Sequence, residues 1–563
     1  MQFKRILTTT LAGLMMALGV VGRSSVAQDA APATAGQAKA TAGGTQPAAI
    51  LSITNLDRLL SDVSYMLKAT NFPEVGGLVS VMANTYTQGL DRTRPMGLVV
   101  KMQGPQAVPI GFLPVKDRAA FFSSLAAIGV EPDDLGDGLF EISANGNTIF
   151  VKESSGWLFI AQSEDSLAQV PVDPAAMLGD LPTRYDVAMR VNLQALPGDL
   201  RDMITSQLRN GFERGLAEQR GQSEEEKKAA REMGEASLAQ LEQVIRETEQ
   251  VIFGWAIDAS GQKTFIDSAA QFIEGGQYAK QMETAKNAKT AFSGFKLPGA
   301  AISLRATSLI SEADKGLAKN NIKNSMQQVE DKIDEINDAQ VRDAVLKLVK
   351  GLTNIVERTI DEGSLDGAMS VSVAGGTLKM LIGGNTADGN ALAKEVQEAV
   401  ASLSSLEEVP KFEFNYATHG GMTLHRTSIP LRSNDSNVRA VFGDELKLTI
   451  GTADKAFALS LDPAGDTSLR AAIDASKAAP SVAATPLEGV IEVGQLVKYA
   501  QTVSPNSVLD NVLKAVQQYA GKDRVTLNGN LIPRGMVYRF SLDEGVLRAI
   551  GAAAKSGQTG GGF

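Results

Sequence analysis

One pattern recurs four times along this chain and limits what it can fold into. A short alternating strand runs into a helix, further helices follow, a β-hairpin comes next, and a helix closes the unit. The opening strands are AILSIT (49–54), DVAMRVN (186–192), AISLRA (301–306) and GVIEVG (489–494). Each alternates apolar with small or polar residues, the period of a strand with one buried face. Each is followed within four residues by a leucine that opens a helical pattern: Leu56, Leu196, Leu309 and Leu496. The hairpins pair 96–102 with 108–115, 251–258 with 263–272, 367–373 with 377–383, and 524–531 with 536–542. Their connections carry Gly or Pro, as tight turns require. Closing helices start near Asp117, Gln277, Asn390 and Gly545.

Further strands separate units one and two (138–144, 147–153, 156–162) and units three and four (411–418, 422–429, 438–442, 445–450, 455–461). NTIFVKESSGWLFIAQSEDSL in the first half matches ELKLTIGTADKAFALSLDPAGDTSL in the second by pattern rather than identity. The expectation is an α+β fold made by tandem duplication of a strand–helix–hairpin–helix module. It forms two mixed, largely antiparallel sheets with packed helices. The first module spans 49–285 and the second 300–553, with a linker at 286–299 marked by Pro298 and Gly299. Two helical hairpins are longer than the rest: 197–218 with 224–250, and 321–337 with 339–362. Ser223 and Glu226 form a capping box for one of these helices. Single apolar stripes such as Ile322, Met326, Val329, Ile333 and Ile336 are too thin to stand alone, so these hairpins must pack on the sheets or on each other.

The N-terminus reads as a secretory leader. A basic start with Lys4 and Arg5 precedes an apolar stretch, 6–21, and Ser25-Val26-Ala27 sets small residues before a cut at Gln28. Residues 1–27 are thus expected to be removed. Segment 28–48 holds no bulky apolar residue and reads as a disordered linker, as does the tail 554–563. An exported chain, periplasmic or extracellular, follows. No other stretch is apolar enough to span a membrane.

Charge and cysteine exclude several classes of function. The formal charge is 54 − 64 = −10, and loss of Lys4, Arg5 and Arg23 with the leader takes it to −13. That balance repels phosphate backbones and argues against nucleic acid. With no cysteine there are no disulfides, thiolate metal sites or thiol nucleophiles.

The familiar catalytic kits are missing too. There is no G-x-S-x-G elbow, no P-loop, no EF-hand loop and no H-E-x-x-H. Only two histidines exist, His419 and His425, flanking Gly420-Gly421 in a predicted hairpin. They could form an acid–base or metal pair, with Glu413 or Asp435 as further ligand. They could equally be ordinary strand residues. Trp157 and Trp255 lie in strand patterns and read as core or sheet surface, and the acidic run 131–137 reads as a solvated loop before a strand.

The segments LFIAQSEDSL (158–167), MTLHRTSIP (422–430) and AILSITNLDRLL (49–60), behind an alanine-rich leader and without cysteine, resemble large secreted proteins of unknown function from planctomycete-type bacteria. The resemblance implies export and a tandem α+β module. It brings no activity and no site residues. The functional expectation is an exported, non-enzymatic envelope protein with a binding or scaffolding role. It would have no catalytic, cofactor or metal residues, and its partner would be an envelope protein or an apolar ligand. Two alternatives stand beside it: a periplasmic carrier of an apolar ligand, and a hydrolase using the His419/His425 hairpin.

Overall fold

The computed structural model describes residues 46–559, apart from 128, 145, 219–223, 298, 405–409, 432–438, 440–441, 480–482 and 484. The leader and most of the linker expected at 28–48 lie outside the described residues, as do Ser223 of the capping box, Asp435 and most of the strand expected at 438–442. Arg439 and Phe442 of that strand are helical.

The first unit consists of β1 (Ala49–Ile53), α1 (Leu56–Ala69), α2 (Pro73–Tyr86), β2 (Met96–Gln103), β3 (Gln106–Pro114) and α3 (Arg118–Ala126). Four strands follow: β4 (Pro132–Gly136), β5 (Leu139–Ala144), β6 (Asn147–Ser154) and β7 (Trp157–Ala161). After the short helix α4 (Leu181–Arg184), the second unit repeats the succession with β8 (Val187–Asn192), α5 (Gly198–Glu218), α6 (Glu224–Glu247), β9 (Thr248–Asp258), β10 (Lys263–Phe272) and α7 (Gln277–Ala285). The third has β11 (Ile302–Leu309), α8 (Glu312–Asp334), α9 (Ala339–Asp361), β12 (Ser364–Ser372), β13 (Lys379–Asn385) and α10 (Gly389–Ser402). Four strands again follow: β14 (Phe412–His419), β15 (Met422–Pro430), β16 (Glu445–Ala453) and β17 (Ala456–Leu461). After α11 (Thr467–Ala478) the fourth unit has β18 (Leu487–Glu492), α12 (Val493–Val503), α13 (Ser507–Gln517), β19 (Arg524–Ile532), β20 (Gly535–Asp543) and α14 (Glu544–Thr559).

The strands form one 20-stranded sheet rather than the two expected. From edge to edge the pairings run β4-β5-β6-β7-β3-β2-β1-β8-β9-β10-β20-β19-β18-β11-β12-β13-β17-β16-β15-β14, all antiparallel. The order reads the same from both edges once β1 is matched with β11, β2 with β12, and so on to β10 with β20. Each half on its own would leave the outer strand of its last hairpin unpaired. The two exposed edges satisfy each other, Lys263 to Gln271 against Asp543 to Gly535, and this merges the sheets.

One face of the sheet carries a core in each half, and toward the β4 edge α3 closes a second core with Phe121, Phe140, Val151 and Leu158 on the opposite face. In the first half Ile50, Val99, Phe112, Trp157, Phe159 and Ala188 pack under Leu178, Leu181 and Tyr185. Burial here is nearly complete, with Phe112 and Trp157 at 0% exposure. Phe112 meets Trp157 edge-on at 5.7 Å, the geometry aromatic quadrupoles favour. In the second half Phe292 and Phe295, from the segment read as a linker, pack with Leu469, Ala472 and Ile473 of α11 over Leu381, Leu424 and Ala458. That segment is built into the core. Gly383 makes room, since a Cβ there would lie 2.8 Å from both phenylalanine rings.

Helices gather at the strand ends. α1 and α12 leave the C-terminal ends of β1 and β18, and α14 leaves that of β20. The register puts these ends together. α2 and α13 pack on α1 and α14 respectively, and α14 packs on α1. The long hairpins stand at the other end. α8 and α9 bury Ile333, Val341 and Val345 between them, and α6 packs against α8, so the two hairpins support each other.

Three expectations need correction at this level. The acidic run 131–137 is not a loop, because Pro132–Gly136 is the edge strand β4. The sheet takes in residue 48, expected in the linker: Ala48 is 2% exposed and continues the ladder, donating its N–H to Val100 O and accepting from Asn192 N. The tail is helical through Thr559.

Candidate functional site

The histidine hairpin forms as read. Gly420 and Gly421 take φ of 58° and 80°, the pair of left-handed residues that a two-residue turn of this hand demands. His419 pairs with Met422 across the turn. His425 lies three residues beyond Met422, so strand alternation places the two imidazoles on opposite faces of the sheet. They do not come together.

Each imidazole also has its own partners. His419 Nε2 is 2.8 Å from Asp474 Oδ1, and Arg470 Nη1 is 3.3 Å from His419 Nδ1. A guanidinium can only donate, so Nδ1 carries the lone pair and the Nε2 proton goes to Asp474. Both ring nitrogens are occupied. His425 is 4% exposed. It accepts from Asn415 N at Nδ1 and meets Thr452 Oγ1 at Nε2, and burial lowers its pKa, which keeps it neutral. Glu413 is held by Arg426 at 2.7 Å. Among the described residues no three His, Asp or Glu side chains converge as metal ligands. Trp157 is core, and Trp255 donates Nε1–H to Thr264 Oγ1.

The unusual chemistry of the molecule lies on the other face of the central strands. Side chains alternate along a strand, so the neighbours of the buried Ile50, Ala188, Ile252 and Asp267 point the opposite way. There the large apolar residues are exposed: Leu51 at 38%, Met189 at 42%, Phe253 at 47%, Ile266 at 52% and Leu304 at 37%. The register joins them. Leu98, Leu51, Met189 and Phe253 are successive cross-strand partners on β2, β1, β8 and β9. On β10 the partner of Phe253 is Ser268; Ile266, two residues along and the partner of Trp255, starts a second line with Phe540 and Leu527 on β20 and β19. After Gly489 on β18 the line resumes with Leu304 and Met369 on β11 and β12. No member of either line is charged. At about 4.8 Å per strand the two lines together cross roughly 45 Å of sheet.

The helices do not close over this line. Ala69 is the only buried residue of α1, and α12 has none, although both carry apolar stripes. Isolated exposed leucines are common on protein surfaces, whereas so many exposed apolar side chains across mid-sheet are not. The alternation read in the opening strands gave each a single apolar face and did not single out this row. The signal is visible in β9, where Val251, Phe253 and Trp255 are apolar at one parity and Ile252 and Ala256 at the other.

A polar cluster ties α1 to the sheet at the start of β8. Arg58 Nε lies 3.0 Å from the fully buried Asp186, and Ile257 N donates to Asp186 Oδ2 at 2.7 Å. Asp62, one turn on, lies against the same carboxylate. Burial, and then the Asp186 charge, push the Asp62 pKa up to about 6. Nearby, Tyr65 donates to Glu544 Oε2 at 2.8 Å, joining the first unit to the last.

No protein-family model matches this chain, and no curated protein and no solved structure is found to be similar to it.

Proposed function

We propose that this is an exported, non-enzymatic binding protein whose ligand is an elongated apolar molecule, an acyl chain, lying along the uncovered row of the sheet. The observation that carries the reading is the exposure of Leu51, Met189, Phe253, Ile266 and Leu304 in the middle of central strands whose opposite face is dry. Burying such side chains is worth roughly 1.5–3 kcal/mol each when complete, so leaving a row of them open disfavours the free state. The exposed side chains form a long band across the central strands rather than a compact patch, with half-buried helices at the strand ends. An extended chain fits that shape better than the surface of a folded partner. The occupied ring nitrogens of His419 and the buried neutral His425 support a role without catalysis, and the leader-like N-terminus supports export.

The same proposal covers the origin of the scaffold. The strand order, which reads alike from both edges, and the recurring succession of elements support duplication and fusion of one ten-stranded half.

Native mass spectrometry of the protein purified from its own cells, with displacement of a dansyl-labelled fatty acid, tests the ligand. Phe253→Arg and Ile266→Arg are expected to weaken the probe at least about tenfold, the equivalent of 1.4 kcal/mol. Val172→Arg, at a still more exposed valine off the row, leaves it unchanged. No bound lipid together with probe binding indifferent to Phe253→Arg overturns the reading.

A further inference from the structure

We infer that the β10–β20 seam is built as a two-fold dimer interface in which Asp267 and Arg539 hold the position that faces its own copy, so that their opposite charges restrict the seam to one half of each kind. The inference rests on the duplication proposed above.

The symmetry shows in the hydrogen bonds around the pair. Asp267 is the register partner of Arg539. At one end of the seam Phe272 N donates to Arg534 O at 2.8 Å, and at the other Glu544 N donates to Gln262 O at 2.7 Å. Gln262 and Phe272 stand five residues either side of Asp267, and Arg534 and Glu544 stand five either side of Arg539. A half-turn about the Asp267–Arg539 pair therefore exchanges the two bonds. Gln262 and Arg534 also share a left-handed backbone, with φ of 57° and 58°. These are matching turn positions that any residue but glycine enters at a cost.

In an isologous interface the residue on the axis meets itself. Two identical halves would set carboxylate against carboxylate, or guanidinium against guanidinium. Either would be buried, since Asp267 is 0% and Arg539 8% exposed. An unpaired or like-charged buried group is among the costliest defects a core can hold. The fused chain carries instead a two-pronged ion pair, Arg539 Nε to Asp267 Oδ1 at 2.6 Å and Nη2 to Oδ2 at 2.8 Å. Tyr185 donates to Oδ2 at 2.8 Å, and the guanidinium lies 3.7 Å from the Phe265 ring centroid. Only fusion lets a self-facing position hold complementary charges. The partner each seam edge accepts is the other half, from the same chain or from a second copy of it.

The test uses the full chain with Asp267→Arg, Arg539→Asp and both together. Each single variant sets like charges across the seam and lowers the thermal midpoint by several degrees. The double variant recovers at least half of that loss. The two single variants co-expressed with different tags give a second arm. Exchange of halves between them makes both seams complementary, so a dimer carrying both tags forms, and neither variant alone dimerises. Where a charge-reversed variant does not accumulate, Asp267→Asn and Arg539→Gln complete the same cycle, each alone costing more than the pair implies by simple addition. A double variant as damaged as the sum of its singles, or a mixture without the cross-tagged dimer, overturns the assignment. Neither result alters the strand order, so the duplication would still stand.

Discussion

Replacing Asp62 with asparagine should make the protein more stable at neutral pH. Asp62 sits on α1 against the fully buried Asp186, and its pKa is pushed up from 3.8 to about 6 by burial and then by that neighbour, against the pull of Arg58. A carboxyl with a raised native pKa holds its proton more tightly when folded than when unfolded. Stability is therefore highest below pH 3.8, falls as pH rises toward 6, and stays reduced above it. About two pH units at 1.36 kcal/mol each set an upper limit of about 3 kcal/mol. Solvent reaches part of the carboxyl, which is 13% exposed, and Arg58 beside it offsets part of the charge, which together bring the effect down to about 1–2 kcal/mol. Asparagine keeps a donor for Asp186 and carries no charge. Urea unfolding followed through buried Trp157 at several pH values should show Asp62→Asn more stable than the parent by that amount at pH 8, with the difference closing below pH 5. A variant less stable than the parent at pH 8, by a margin unchanged at pH 4, would refute the reasoning.

Gly254→Ala should cost about 1–3 kcal/mol or more, because its Cβ would lie 2.5 Å from the Tyr185 ring, which Asp267 pins from beyond. Gly111→Ala, with nothing nearer than 3.7 Å, is the thermal-melt control and should move the midpoint little. His425 is kept neutral by burial, so the unfolded chain takes up its proton first as pH falls below 6.5; the parent should lose stability relative to His425→Gln between pH 7 and 5, and an imidazole seen by NMR to titrate normally would contradict this. Burial raises the pKa of Glu544, but hydrogen bonds from Arg548 and Tyr65 outweigh it and hold the group below the usual range. The stability it lends is present above the unfolded value and lost as pH falls through the folded one. Glu544→Gln should thus destabilise at pH 7 by about 1–2 kcal/mol in denaturant titrations, and less in acid.

Much of the architecture was legible because its signals are local. The four opening strands alternate with period two, and the structure has β1, β8, β11 and β18 in those places. The Gly420-Gly421 turn was readable for the same reason. β4 was not, since an edge strand with Asp133 and Asp134 buries no face and writes no alternation. The union of the two sheets was invisible as well. It depends on β10 meeting β20, and nothing local in either hairpin specifies a partner so far along the chain. Asp267 and Arg539 look like ordinary strand charges until the register sets them face to face. The open row was hidden differently. Its residues are apolar like any core residue, and only the stand-off of α1 and α12 separates them from buried ones.

The seam also sets a timetable. Gly535 is made 535 − 271 = 264 residues after its partner Gln271. At ordinary translation speeds of 5–20 residues per second, that is roughly 15–50 s during which the finished first half presents β10 with no neighbour. Naked strand edges recruit other nascent chains, and a charge set in the middle of the edge, pointing toward the interior, is a known deterrent. Asp267 stands at that spot. While ribosomes are still at work it would repel strangers, and once Arg539 arrives the same carboxylate becomes the latch.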